Sequence, residues 1–246
     1  MNNTPILTVA DAVTKNIKTA HIFKKHGIDF CCGGGISIEK ACEKNHVDFK
    51  ELTFELQSVE NTGSYLNDYN SWELDFLIDF IVHTHHRYVE ENIALLKQYG
   101  AKVAKVHGHH YTELLEIEKL IYAVCDELTV HMKKEELILF PFVKKLVHAH
   151  RDDVAIEIPH FGTVDNPIKM MEEEHDDAGA IFKRISKLTN TYQTPEGACN
   201  TFKALYSKLE EFEDDLHQHV HIENNILFPK AKHLERTVKK ASHIRG

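Results

Sequence analysis

One short segment is written twice in this chain. Residues 131–141 read His-Met-Lys-Lys-Glu-Glu-Leu-Ile-Leu-Phe-Pro, and residues 219–229 read His-Val-His-Ile-Glu-Asn-Asn-Ile-Leu-Phe-Pro. Both fit H-x-x-x-E-x-x-I-L-F-P, and a repeat this specific argues for duplicated architecture with chemistry at the matched positions. On a helix, i and i+4 share a face, so His131 points with Glu135 and His219 with Glu223. Each pair offers an imidazole nitrogen and a carboxylate to one spot, a donor set suited to iron, manganese or zinc.

The surroundings of the repeat are helical in period. From Trp72 onward four amphipathic patterns run over about 72–99, 109–149, 166–190 and 195–234. Their apolar stripes are interrupted near mid-helix by a ligand-type residue. Little strand-period alternation is present, and four such helices with short connections make an antiparallel four-helix bundle in an all-α chain. The third helix contributes His175. The first offers His83, His85 and His86; phase selects His85, four residues after Ile81 and three before Tyr88. Spacing agrees, since His85 precedes His131 by 46 residues and His175 precedes His219 by 44. Pro141 and Pro229, six residues after the two glutamates, predict a matched kink or stop beside the site in each half.

Four imidazoles (His85, His131, His175, His219) and two carboxylates (Glu135, Glu223) exceed the four ligands of a single zinc. They fit two metals spanned by the carboxylates, with room for a bridging oxygen: two non-haem irons per chain, oxo- and carboxylate-bridged. Glu174, Glu127 and Asp176 are the acids expected to orient the histidines or move protons. Buried glutamates without partners would be costly, which argues for a cation in their midst.

Residues 1–59 read as a separate small helical domain. Thr8 can cap a helix whose stripe is Val9, Val13, Ile17, Ala20 and Phe23, and His26-Gly27 is a stop signal. Short helices are expected from Ser37 and from Asp48. Between them lies Asp29-Phe30-Cys31-Cys32-Gly33-Gly34-Gly35. Glycines there give access and backbone N–H groups that would stabilise a thiolate, so Cys31 and Cys32 are assigned a redox or iron-transfer role. Cys42, Cys125 and Cys199 are read as structural. Residues 60–71 are polar and turn-rich and are read as a linker. The bundle then spans 72–236, and 237–246 form a tail.

Composition narrows the partners. The net charge of −9 argues against nucleic acid, and no apolar run approaches the roughly 18 residues of a membrane span. The N-terminus carries no signal-peptide pattern, and five cysteines without a disulfide framework fit a reducing cytoplasm. The oligomeric state, a homodimer included, stays open.

Asp29-Phe30-Cys31-Cys32-Gly33-Gly34, His131 to Glu136, Glu174-His175-Asp176 and His219 to Pro229 together resemble the bacterial RIC proteins (repair of iron centres). That resemblance implies a Cys-Cys domain joined to a hemerythrin-like di-iron bundle. It also implies a stress-response protein that helps restore damaged iron–sulfur clusters, with nitric oxide or dioxygen as small ligands. Reduction of nitric oxide to nitrous oxide at the di-iron centre is a further activity that the resemblance suggests. It maps the six iron ligands onto the residues above and the two cysteines onto Cys31 and Cys32. The rival reading is a hemerythrin-like module that carries or senses dioxygen or nitric oxide. The cysteine domain counts against it, as do four histidines where such carriers use five. A third reading, a metal that only stabilises the bundle, is disfavoured by the paired glutamates. The stretch 151–166, longer than in the family, is expected to form a flap over one end of the bundle.

Overall fold

The computed structural model describes residues 7–60 and 68–243. Every regular element among them is a helix, apart from one antiparallel bridge between Thr8 and Ser37. No helix among them is long and apolar enough to cross a membrane.

The N-terminal module holds α1 (Val9–Lys15), α2 (Ala20–Lys25), α3 (Ile38–Asn45) and α4 (Phe49–Glu60). Its starts are side-chain caps, as expected. Thr8 and Asp11 form a reciprocal capping box at 3.0 Å, Ser37 accepts from the Lys40 N–H, and Asp48 accepts from Lys50 and Glu51. The expected single helix over 8–23 is broken at Asn16, whose side chain accepts from Lys18 N and starts a short 3₁₀ turn, Ile17–Thr19. Gly27 ends α2 at φ +67°, a conformation that costs glycine little.

Three of the four bundle helices run through a π turn. The first is α5 (Leu74–Ile81), the π turn Val82–His86, then α6 (Arg87–His107). The second is α7 (Glu113–Lys134), the turn Glu135–Leu139, then α8 (Phe140–Asp152). The third, α9 (Asp165–Leu188), is uninterrupted. The fourth is α10 (Asn200–Ile222), the turn Glu223–Leu227, then α11 (Phe228–His243). Thus Pro141 and Pro229 do not stop the helix. Proline has no N–H for the carbonyl four residues back, and the ladder absorbs the loss one step earlier. Phe140 and Phe228 N–H reach five residues back, to Glu135 and Glu223. The first helix also outruns the expected end at 99. It passes through Gly100, where a Cβ would sit 3.0 Å from Ile121 Cδ1, so the missing side chain lets α6 approach α7 closely.

Two apolar clusters fill the bundle and meet at the histidines. One gathers Val89, Leu128, Phe182, Phe212 and Val220; the other gathers Ile81, Phe140, Ile168 and Phe228. The N-terminal module is packed on the bundle, because Val13, Phe23, Phe30 and Leu52 belong to the first cluster. Lys24 pairs with Glu213 at 2.8 Å and Asp214 at 2.6 Å across this seam. Of the segment read as a linker, 61–67 lie outside the described residues, while Tyr69 packs edge-on to Trp72. Where a tail was expected, α11 continues to His243, and 244–246 lie outside the described residues. The stretch 151–166 is pinned rather than free: Phe161 packs on Phe142, and Glu235 accepts from Thr163 Oγ1 and Val164 N.

Candidate metal centre

Six side chains converge where the two clusters meet. His86, Glu135, His219 and Glu223 form one donor set; His131, Glu135, His175 and Glu223 form another. Within each set the donor atoms all lie within 4.8 Å of one another, and every residue is buried. Both sets use both glutamates. His86 Nε2 and His131 Nε2 stand 3.3 and 3.4 Å from Glu135 Oε2. His175 Nε2 and His219 Nε2 stand 3.2 and 3.1 Å from the Glu223 oxygens.

His85, selected by phase, is outside this arrangement, and His86 takes the place. An α-helical count puts the fourth residue after Ile81 on its face. The π turn at 82–86 adds one residue to that turn, so the fifth, His86, arrives there. Downstream the stripe is shifted as well, with Val89 buried where Tyr88 was expected. His85 is buried too, but its Nδ1 is 2.9 Å from Asp215 Oδ1 and its ring stacks parallel on His219 at 5.5 Å. His83 is exposed.

Each of three donor histidines has its outer nitrogen tied down. Nδ1 of His86 is 2.9 Å from Glu136 Oε1, that of His131 is 2.8 Å from Glu174 Oε2, and that of His175 is 2.9 Å from Asn224 Oδ1. Such bonds fix the ring and turn the lone pair of Nε2 inward. Glu174 thus stands where the sequence put it, and Lys134 holds its other oxygen. Glu127 does not: it is exposed on α7, with no hydrogen bond to a site histidine among the described residues. Asp176 is also exposed, facing the cysteine loop across a cleft. Glu136, Asn224 and Asp215 escaped the sequence reading. The repeat held a signal for the first two, since they occupy the same place, one residue after each glutamate.

The residues fit a pair of cations. Both oxygens of Glu135 and of Glu223, and Nε2 of His86 and His219, are buried with no hydrogen-bond partner. That is a costly state that positive ions would relieve. Burial and the neighbouring Glu223 push the Glu135 carboxyl up, but His131 and His86 outweigh them and hold it down. Burial likewise opposes ionisation of Glu223, and His219 and His175 hold it well below the usual carboxylate range. Burial lowers the His131 imidazole, yet Glu135, Glu223 and Glu174 push it up to about 9. A ligating imidazole must be neutral, so metal binding would release the proton that these carboxylates favour on His131.

The cysteine loop lies against this centre, in a state different from the one expected. Its backbone N–H groups do not face sulfur. Those of Cys31, Cys32 and Gly33 donate to the Asp29 carboxylate at 3.0, 3.0 and 2.9 Å. Cys32, burial and Asp29 all push the Cys31 thiol up. Gly34 is required by packing, because a Cβ there would meet the Phe30 carbonyl oxygen at 2.4 Å. The loop borders a cleft of about 920 Å³ between the module and the bundle, lined by Asp29, Cys31, Cys32, Asp176, Lys183 and His217. Cys42 and Cys125 are buried, whereas Cys199, read as structural, is exposed with its sulfur 3.3 Å from His107 Nε2.

Comparison with known proteins matches both parts. The hemerythrin HHE cation binding domain covers residues 77–231, and a domain of unknown function, DUF542, covers 7–60. The iron-sulfur cluster repair protein YtfE of Yersinia pseudotuberculosis serotype IB is 35% identical over 210 residues, covering 85% of this chain and 89% of that protein. Its counterpart in Yersinia pestis strain Pestoides F is 35% identical over 214 residues, covering 87% and 91%. With a hemerythrin-type bundle, a docked cysteine module and this identity along most of its length, the chain belongs to the family of iron–sulfur cluster repair proteins.

Proposed function

We propose that this chain holds two irons and helps restore iron–sulfur clusters damaged by nitrosative or oxidative stress. One observation carries the reading: two donor sets share both Glu135 and Glu223, and the Cys31–Cys32 loop is docked beside them. Sharing both carboxylates supports two ions rather than one, and the four-histidine, two-carboxylate composition suits iron. The ligands are then His86, His131, Glu135, His175, His219 and Glu223. When bound, the irons supply one-electron redox chemistry and a store of exchangeable metal.

The protein's own part is positional. Glu136, Glu174 and Asn224 fix three rings, and the apolar clusters on either side keep bulk water from the carboxylates. The cleft at the cysteine loop offers a path by which iron or electrons pass to a client protein. The relatives' names supply the client class, a protein whose iron–sulfur cluster needs repair, and free cysteines fit a reducing bacterial cytoplasm as the place of that work. A dioxygen carrier or sensor has no use for a thiol pair docked on its metal centre, which is why repair is preferred. Nitric oxide and dioxygen remain the small ligands to which such a centre would respond.

Protein purified from iron-replete cells should contain two irons per chain with near-ultraviolet charge-transfer absorption. Added to an enzyme whose cluster nitric oxide has damaged, it should restore activity. One zinc per chain without that absorption, or no restoration by the iron-loaded protein, would end the proposal.

A further inference from the structure

The two copies of the repeat differ at the residue that follows the glutamate, and the difference has a use. Glu136 and Asn224 do the same thing toward the site: each accepts from a histidine Nδ1 at 2.9 Å, His86 in one half and His175 in the other. On its outer side Glu136 is held by Lys133. Asn224 instead points its Nδ2 at Cys32 Sγ, 3.8 Å away. A carboxylate could accept from the histidine equally well, but it has no hydrogen to give sulfur. It would also add negative charge beside Asp29. An amide offers one acceptor and one donor on a rigid plane. The neighbouring positions are converted in the same sense. Asn225, at the place of exposed Leu137, donates to the Cys31 carbonyl at 3.0 Å. His221, at the place of exposed Lys133, is buried with Nδ1 3.3 Å from the Phe30 carbonyl.

We infer that Asn224 is a positioning residue that couples the Cys31–Cys32 pair to the metal centre. Its carbonyl sets the His175 ring while its amide holds the Cys32 sulfur. A chemical change at Cys32 frees the amide plane and is felt at His175, and a cation on His175 is felt at Cys32. Such coupling is reciprocal. The inference rests on the metal reading above, and the cobalt spectrum in the test separates the two.

Cobalt(II) serves as the probe, followed by its visible bands, with iodoacetamide labelling of Cys32 read by peptide mass. In the wild-type chain, cobalt loading should change the Cys32 labelling rate by about five-fold or more. Asn224→Asp keeps the acceptor for His175, so cobalt affinity should stay within a few-fold of wild type while the loading effect on labelling disappears. Asn224→Ala loses both functions, and cobalt affinity should fall about 10- to 100-fold. Cys32→Ser should shift the cobalt spectrum in the wild-type background and leave it unchanged in the Asn224→Asp background. Absence of cobalt bands in the wild type removes the metal reading and this inference with it. Cobalt bands with labelling indifferent to loading, or a loading effect that survives in Asn224→Asp, overturns the coupling alone.

Discussion

An imidazole whose Nδ1 is tied to a carboxylate has only Nε2 left to offer, and where that nitrogen points decides its role. His85 and His86 are both buried and both tied, to Asp215 and Glu136. His86 Nε2 faces Glu135; the His85 ring lies flat on His219 instead. Changing His83, His85 and His86 singly to Ala should therefore divide two properties. His86→Ala should lower iron content toward about one metal per chain, because one donor set is broken. His85→Ala should keep the metal but lose about 1 kcal/mol of stability, since half-buried Asp215 is left without its partner. His83→Ala should change neither. Metal analysis and thermal melts check this, and full iron in His86→Ala would return the ligand role to His85. The cysteine pair is a second case at this scale. Asp29 takes the N–H groups that a thiolate would need, and after Cys32 and burial its charge adds to the upward push on Cys31. Asp29→Asn removes that charge, so the Cys31 thiol should shift down and iodoacetamide should label it faster at neutral pH. An unchanged or slower rate counts against this account. His131, His175, His219 and both glutamates were legible because they are the repeat's fixed positions or lie on an uninterrupted helix. His86 was not, because it lies at the end of a π turn.

The π turns explain how much of the bundle periodicity can reveal. Those at Glu135–Leu139 and Glu223–Leu227 come just before Pro141 and Pro229, so a proline announces them, although the sequence alone suggested a kink or stop. The one at Val82–His86 has no proline, and nothing in its sequence marks it. All three carry a donor residue at one end: His86, Glu135 and Glu223. A π turn is a one-residue insertion into an α-helix, and this one holds His86 in phase with Ile81 despite five residues of separation. Deleting Thr84 should collapse it to an α turn with His86 now four residues after Ile81. The ring should stay on the same face, and iron should still bind. Were the first helix plain α with His85 as ligand, the same deletion would rotate everything beyond it by about 100°. His86 would still fill the ligand's place, but the residues from Arg87 on would turn away from their packing partners and the bundle would be strongly destabilised. The thermal melt of the deletion variant separates the two: little changed if the π turn collapses, and far lower if a plain helix has been turned out of phase.

Across the whole molecule, the question is whether the cysteine module and the bundle act together. Sequence separated them by a polar stretch and could not say how they meet. Apolar patterning marks which face of each helix is buried but not which neighbour covers it, and here Phe23, Leu52 and Val220 join one cluster. Among the described residues, polar ties across the seam include Lys24 to Glu213 and Asp214, Thr14 and the Phe30 carbonyl to His221, and the asparagines at the cysteine loop. Lys24 is a charged tie whose loss reaches the seam without touching a donor. In Lys24→Ala the buried Glu213 loses its cation, at a cost of about 1–3 kcal/mol, and the module should open more often. All six donors are on the bundle, so iron should bind as in the wild type. If repair needs the thiols held at the centre, Lys24→Ala should restore a damaged cluster more slowly, and Cys31→Ser/Cys32→Ser more slowly still. A bundle beginning near Trp72 should do no better than the double serine variant. If all three loaded proteins repair at the wild-type rate, the thiols serve the fold and repair belongs to the bundle alone.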